Sequence, residues 1–220
     1  MQLSFLRRGL VLAAFALTTS MGAQAASVLQ PSADVSVSEL YGLYGFDSLT
    51  VNWYPESANV GLLQFDLQGV TSATRATLDL YQLHNAFAGS ETGIFSLFVN
   101  TSPWVGVTTD WANRPTYAPT PAATITLASG DAYGNFRSFD VTAAVQNWIS
   151  GTTPNYGFTL ARTNAVNPFI FFAATESGPA FAPRLAISSV PESGTILLTL
   201  TGLACMGGMA WVRKNKQPQG

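Results

Sequence analysis

Five residues suited to meeting a sugar ring crowd one short stretch: Trp104, Trp111, Asn113, Arg114 and Tyr117. Indole and phenol faces stack on apolar C–H surfaces, while amide and guanidinium groups reach hydroxyls or grip a carboxylate in bidentate fashion. The same residue types also make core plugs, with an arginine satisfying backbone carbonyls beneath a loop, and the residues leave both readings open. Trp53 and Tyr54, beside Pro55, form a second aromatic pair better suited to an exposed turn.

Catalysis finds less support. Glycoside hydrolysis needs two carboxyls across the scissile bond, one of them kept protonated. Asp66, Asp79, Glu91, Asp110, Asp140 and Glu176 are available, but no spacing pairs any two of them, and no catalytic residue is assigned. His84 is the single histidine and no lysine accompanies it. One histidine and one cysteine, Cys205, do not make a zinc set. Structural calcium is the one ion the acids leave room for, since Asp47, Glu56 and Asp131 lie in Gly- or Ser-containing turns, though without a D-x-D-x-D loop. No cofactor is expected. Neither a phosphate-binding Gly-rich loop ending in Lys-Ser/Thr nor a G-x-S-x-G elbow occurs.

The elements that must carry these residues read as strands. In Gly61 to Leu67, Leu63, Phe65 and Leu67 take one face and Gln64 and Asp66 the other. The pattern recurs at Thr74 to Gln82, where Leu78 and Leu80 flank Asp79, and Ile94 to Asn100 is β-branched and aromatic. Further strands are expected at residues 123–127, 135–139, 157–162, 168–173 and 184–188, separated by Gly, Pro and Asn clusters. One segment breaks the period: Val141, Val145 and Trp148 share a helical face, with Asp140 or Thr142 to cap it and Gly151 and Pro154 to end it. The expected fold is all-β, a jelly-roll-like sandwich of two antiparallel sheets with one short helix.

The ends carry a different message. Arg7-Arg8, an apolar run from Gly9 to Leu17 and Ala23-Gln24-Ala25 follow the order of a secretory signal peptide, expected at residues 1–25 with cleavage after Ala25. At the other end, an apolar run from Thr195 to Val212 precedes Arg213-Lys214-Asn215-Lys216, the pattern of a membrane-spanning helix with its basic end held in the cytoplasm. Between them, residues 27–189 suit one domain. That body holds five arginines, no lysine and eleven acids, a net charge of −6. Such a surface repels phosphate backbones, so nucleic acid is not an expected partner.

Two resemblances sharpen this picture. Leu63-Gln64-Phe65-Asp66-Leu67 with Ala76-Thr77-Leu78-Asp79-Leu80, then Ser102-Pro103-Trp104 with Thr109-Asp110-Trp111-Ala112-Asn113-Arg114-Pro115, resemble blocks of the DNRLRE domain. Phe139-Asp140-Val141-Thr142, Asn155-Tyr156-Gly157 and Pro183-Arg184-Leu185 continue the likeness in order, although Gln64 and Asp79 stand where that family is often basic. The resemblance implies a β-sandwich related to carbohydrate-binding modules, in exported proteins and beside polysaccharide-degrading enzymes. The last segment, residues 190–220, resembles the PEP-CTERM sorting signal of Gram-negative bacteria, with Pro191-Glu192 ahead of the apolar run and Ser193 in place of a second proline. It implies processing by an exosortase at the inner membrane, then release or attachment at the cell surface in a setting of exopolysaccharide. The function these features predict is non-catalytic association with extracellular polysaccharide. The alternatives are a structural biofilm or surface protein without a sugar site, and an accessory polysaccharide-degrading enzyme.

Overall fold

Alternating side chains sort the chain into two sheets that share an apolar interior. The computed structural model describes residues 25–45, 47–52, 57–87, 92–164 and 168–189. The expected leader up to residue 24, Trp53 and Tyr54, and all of residues 190–220, with Pro191, Glu192 and the expected membrane helix, lie outside them. Among the described residues no helix is long and apolar enough to cross a membrane.

The strands are β1 (Ala25–Leu29), β2 (Ala33–Ser38), β3 (Gly42–Gly45), β4 (Ser48–Val51), β5 (Asn59–Gln64), β6 (Arg75–Phe87), β7 (Thr92–Val99), β8 (Ala123–Ala128), β9 (Asn135–Asp140), β10 (Phe158–Arg162), β11 (Pro168–Ala173) and β12 (Arg184–Ser189), with helix α1 (Thr142–Ile149) between β9 and β10. One sheet runs β3-β2-β5-β10-β7-β8. The other is organised by the long strand β6. β9 pairs with its residues 77–82, β12 with 75–79 and β11 with 82–87, all antiparallel. Because β9 shares partners on β6 with both β11 and β12, those two must lie end to end along the opposite edge. β4 pairs with β11 and β1 with β12 to complete the sheet.

Among the described residues the fold is therefore mostly β, two antiparallel sheets and one α-helix, as the periodicity predicts. The strand expected over 74–82 runs on to Phe87, because β11 offers its second half a partner. The one expected over 61–67 ends at Gln64, yet Phe65 is still buried and Leu67 packs on the core, as their shared face requires. Strands β1 to β4 are not among the expected ones; β3 and β4 have four residues each, too few to show a period.

Between the sheets lies one core. Phe95 of β7 meets Phe172 of β11 edge-on at 6.4 Å, and Trp148 of α1 lies 4.7 Å from Phe158 of β10. α1 closes one end of the sandwich, with Ala144, Val145 and Trp148 buried. The Asp140 carboxylate fixes its start by accepting from the Thr142 hydroxyl (2.6 Å) and N–H (3.0 Å). These bonds hold the Asp140 carboxyl below its ordinary range, so whatever stability they add is present near neutrality and fades as acid protonates the group.

An irregularity in the β6 sheet has a chemical consequence. On β11, Phe171 pairs with His84 and Phe172 with Gln82, so β6 carries one extra residue, Leu83. Such a bulge reverses the facing of the later residues on its strand. Gln82 stays buried, whereas His84 turns outward beside Phe171.

Candidate functional site

The outer face of the β2–β5 sheet is covered. Val35, Val37, Val60, Leu62, Phe98 and Ala161 point away from the main core and form a second apolar cluster beneath the loop that follows β7. Trp104 plugs that cluster at 8% exposure, and its indole N–H donates 2.9 Å to the carbonyl of Tyr156. Asn100 donates to the same carbonyl at 3.0 Å, so two donors fasten the loop to the turn before β10.

The rest of the 104–117 stretch ties its polar groups within the loop itself. The Arg114 guanidinium lies 3.7 Å over the Trp111 ring and donates to the Trp111 carbonyl. Asn113 accepts from the Asp110 N–H (2.7 Å) and donates to the Thr108 carbonyl (3.0 Å). Tyr117 tilts against Phe98 at 4.9 Å and keeps a partly exposed ring. The structure gathers these residues as a lid on the sheet, with Trp104 as the plug and Arg114 as the carbonyl-satisfying arginine.

Opposite, the outer face of the β6 sheet is open and aromatic. Phe169 and Phe171 of β11 lie nearly parallel, 6.3 Å apart. His84 stands 6.2 Å from Phe171, and Tyr133, 56% exposed, 5.4 Å from His84. Further along, Tyr81 contacts Phe136 at 5.1 Å and Phe181, 41% exposed, at 4.7 Å. Arg184 lies 3.8 Å over the Phe136 ring and reaches the Asp79 carboxylate at 3.4 Å, while the Ser138 hydroxyl donates to the other Asp79 oxygen at 2.6 Å. Strand register puts the Phe169 end opposite Ala86 and the Arg184 end opposite Asp79, so the row extends roughly 23 Å along β6. At the Phe169 end it meets a cavity of about 270 Å³ lined also by Ser38, Leu40, Tyr41, Asn52, Ser57 and Asn59.

Sequence reasoning missed this face. Phe169 and Phe171 share a parity, as do Asp79 and Tyr81, and that signal was readable. His84 was not, because only the bulge brings it to this side.

Glu91 lies outside the described residues, and the other candidate carboxyls serve separate elements. Asp66 accepts from the Gln68 N–H and Asp110 from those of Ala112 and Asn113, both closing local turns. Among the described residues no three His, Cys, Asp or Glu side chains gather to hold an ion. Asp34 does share a cavity of about 240 Å³ with Glu176. Its carboxylate accepts the Thr175 N–H at 2.8 Å, tying β2 to the turn after β11. Burial holds the Asp34 carboxyl above its ordinary range, outweighing that bond, and the charge of Glu176 adds in the same direction. The native state therefore binds more protons than the unfolded chain just above the usual carboxylate range, and stability falls as pH rises through that window. Asp34→Asn keeps an acceptor for Thr175. It is expected to raise the melting temperature at pH 7 and to remove this slope from a plot of melting temperature against pH.

Comparison with known proteins places this geometry. Over 95 residues, 43% of the chain, it is 34% identical to the tRNA nuclease WapA of Bacillus subtilis (strain 168), and equally to the tRNA(Glu)-specific nuclease WapA of Bacillus subtilis subsp. natto (strain BEST195). The chain spans only 4% of the length of those relatives, so the likeness concerns one small part of each. The far broader match covers residues 25–189, from the first residue of β1 to the last of β12, and by it the chain belongs to carbohydrate-binding module family 96.

Proposed function

We propose that this protein is an exported, non-catalytic protein that associates with extracellular polysaccharide through the open face of its β6 sheet. The observation that carries the reading is the row of rings from Phe169 to Phe136 on a member of a carbohydrate-binding family. Its roughly 23 Å length suits several sugars of an extended chain, with rings for the C–H faces and the Asp79–Arg184 pair for hydroxyls. Trp53 and Tyr54 lie outside the described residues and join the proposal on residue type alone. Electrophoresis of the purified protein through gels containing soluble polysaccharides tests the reading. Retardation by at least one polymer is expected, and free migration in all of them would oppose it.

Export and processing belong to the same proposal. The leader directs secretion, the DNRLRE-like body is delivered outside, and the PEP-CTERM-like tail is removed by an exosortase-type enzyme at the inner membrane. The intact mass of the cell-surface or secreted product is expected to lack both residues 1–25 and the apolar run from Thr195 to Val212. A mature product that still carries that run would mean a permanent anchor.

A further inference from the structure

We infer that the cavity at the Phe169 end of the row seats the terminal ring of a sugar chain, so that the protein captures polysaccharide by its ends. The inference rests on the polysaccharide-binding reading above. At about 270 Å³ the cavity is smaller than ordinary small-molecule sites of roughly 300–1,000 Å³, and it suits one ring better than a run of them. Phe169 joins it to the row, and every other residue lining it comes from two segments, 38–41 and 52–59. A chain that follows the row past Phe169 runs into those segments. The polar groups waiting there suit hydroxyls. Asn59 is 4% exposed, and its side-chain oxygen is buried without a partner among the described residues. The fold does not need that amide for pairing, because the Asn59 N–H and carbonyl already bond to Asn52. A buried acceptor left unmade is costly and folded chains keep few of them, so this one marks a place where a donor arrives. Beside it, the Asn52 side-chain oxygen accepts the Asn59 N–H at 2.7 Å, which leaves the Asn52 amide nitrogen to donate. The Ser38 oxygen accepts the Leu40 and Tyr41 N–H groups, both at 3.3 Å, and keeps its own proton to give. One acceptor and two donors match neighbouring hydroxyls on a single ring, with Phe169 and Leu40 as wall for its C–H groups. Neutral and acidic chains alike carry such hydroxyls at their ends.

The test uses the purified full-length chain and a polysaccharide that retards it in a gel. One portion of the polymer is cut by mild acid to fragments still much longer than the row, which multiplies chain ends at constant mass. Both portions are then titrated calorimetrically against the protein. If cutting raises the number of ends about tenfold, half-saturation is expected at about a tenfold lower mass of cut polymer. Equal masses at half-saturation would show capture along the chain and overturn this inference, while the polysaccharide-binding reading stands. If no polymer retards the protein, both fall. Asn59→Leu removes the amide at nearly the same volume, and Ser57→Trp fills the cavity from another of its lining positions. In either variant, checked by its melting curve, the two masses should come within about twofold of each other. Asn59→Leu is also expected to melt no lower than wild type, since a buried unpaired oxygen leaves with the amide. If it does not fold, Ser57→Trp decides. A folded variant that keeps the full advantage of cut chains would refute the role assigned to the cavity.

Discussion

Gly157→Ala is expected to cost at least about 4 kcal/mol, enough to leave only about 1 kcal/mol of stability if the domain sits at the low end of the usual range. Gly157 adopts φ = 77°, which a Cβ disfavours by about 1–2 kcal/mol. The steric term is larger. A methyl at this position would sit 2.0 Å from the Leu63 carbonyl oxygen and 2.9 Å from the Gln64 Cα, both backbone atoms of β5. Neither can yield without parting β10 from β5, which pair through Phe158 and Leu63. The turn is also a knot of polar contacts. Asn155 donates to the Phe65 carbonyl (2.8 Å) and accepts from the Gly157 N–H (3.1 Å), and the Gly157 carbonyl accepts from the Asn100 N–H (3.0 Å). Urea denaturation checks the expectation. A midpoint within experimental error of wild type would show that the strands part more easily than this packing implies.

Tyr133→Ala with Phe171→Ala should abolish measurable polysaccharide binding while leaving the fold intact. A stacked ring contributes roughly 0.5–1.5 kcal/mol beyond the area it covers. Each loss then weakens binding about tenfold, and the pair about a hundredfold if the effects add. Both rings flank His84, so the double change cuts the row at its middle. Tyr133 is exposed and Phe171 half-buried, so together they should lower stability by only about 1–2 kcal/mol. Isothermal titration with a polymer that retards the wild-type chain, beside a melting curve of the variant, separates the two effects. Undiminished affinity in a folded double variant would remove this face from the site.

These two predictions differ in how visible their residues were in the sequence. Asn155-Tyr156-Gly157 and Ser102-Pro103-Trp104 stood out as motifs, and the structure joins them through the Tyr156 carbonyl. What the motifs could not show was direction. Whether Trp104 faces a sugar or a sheet depends on the second apolar cluster, formed by residues as distant as Val35 and Ala161. The helix at Val141, Val145 and Trp148 was legible because its period is local. So was β6, whose buried Ala76, Leu78 and Leu80 alternate with outward residues. The ring row was not, because β6, β9, β11 and the segments around Tyr133 and Phe181 each supply only one or two rings. One of those, His84, owes its place to a bulge that strict alternation assigns to the other face.

Two sheet faces compete to meet the sugar. The covered side has its rings and donors locked by Trp104, Trp111 and Arg114; the open side presents Tyr81, His84, Tyr133 and Phe171 to solvent or near it. Aromatic and indole NMR resonances followed during titration with an oligosaccharide from a binding polymer decide between them. The predicted result is shifts at Tyr81, His84, Tyr133 and Phe171, with the Trp104 and Trp111 indole signals unmoved. Shifts confined to Trp111 and Tyr117 would contradict it and put the site on the lid.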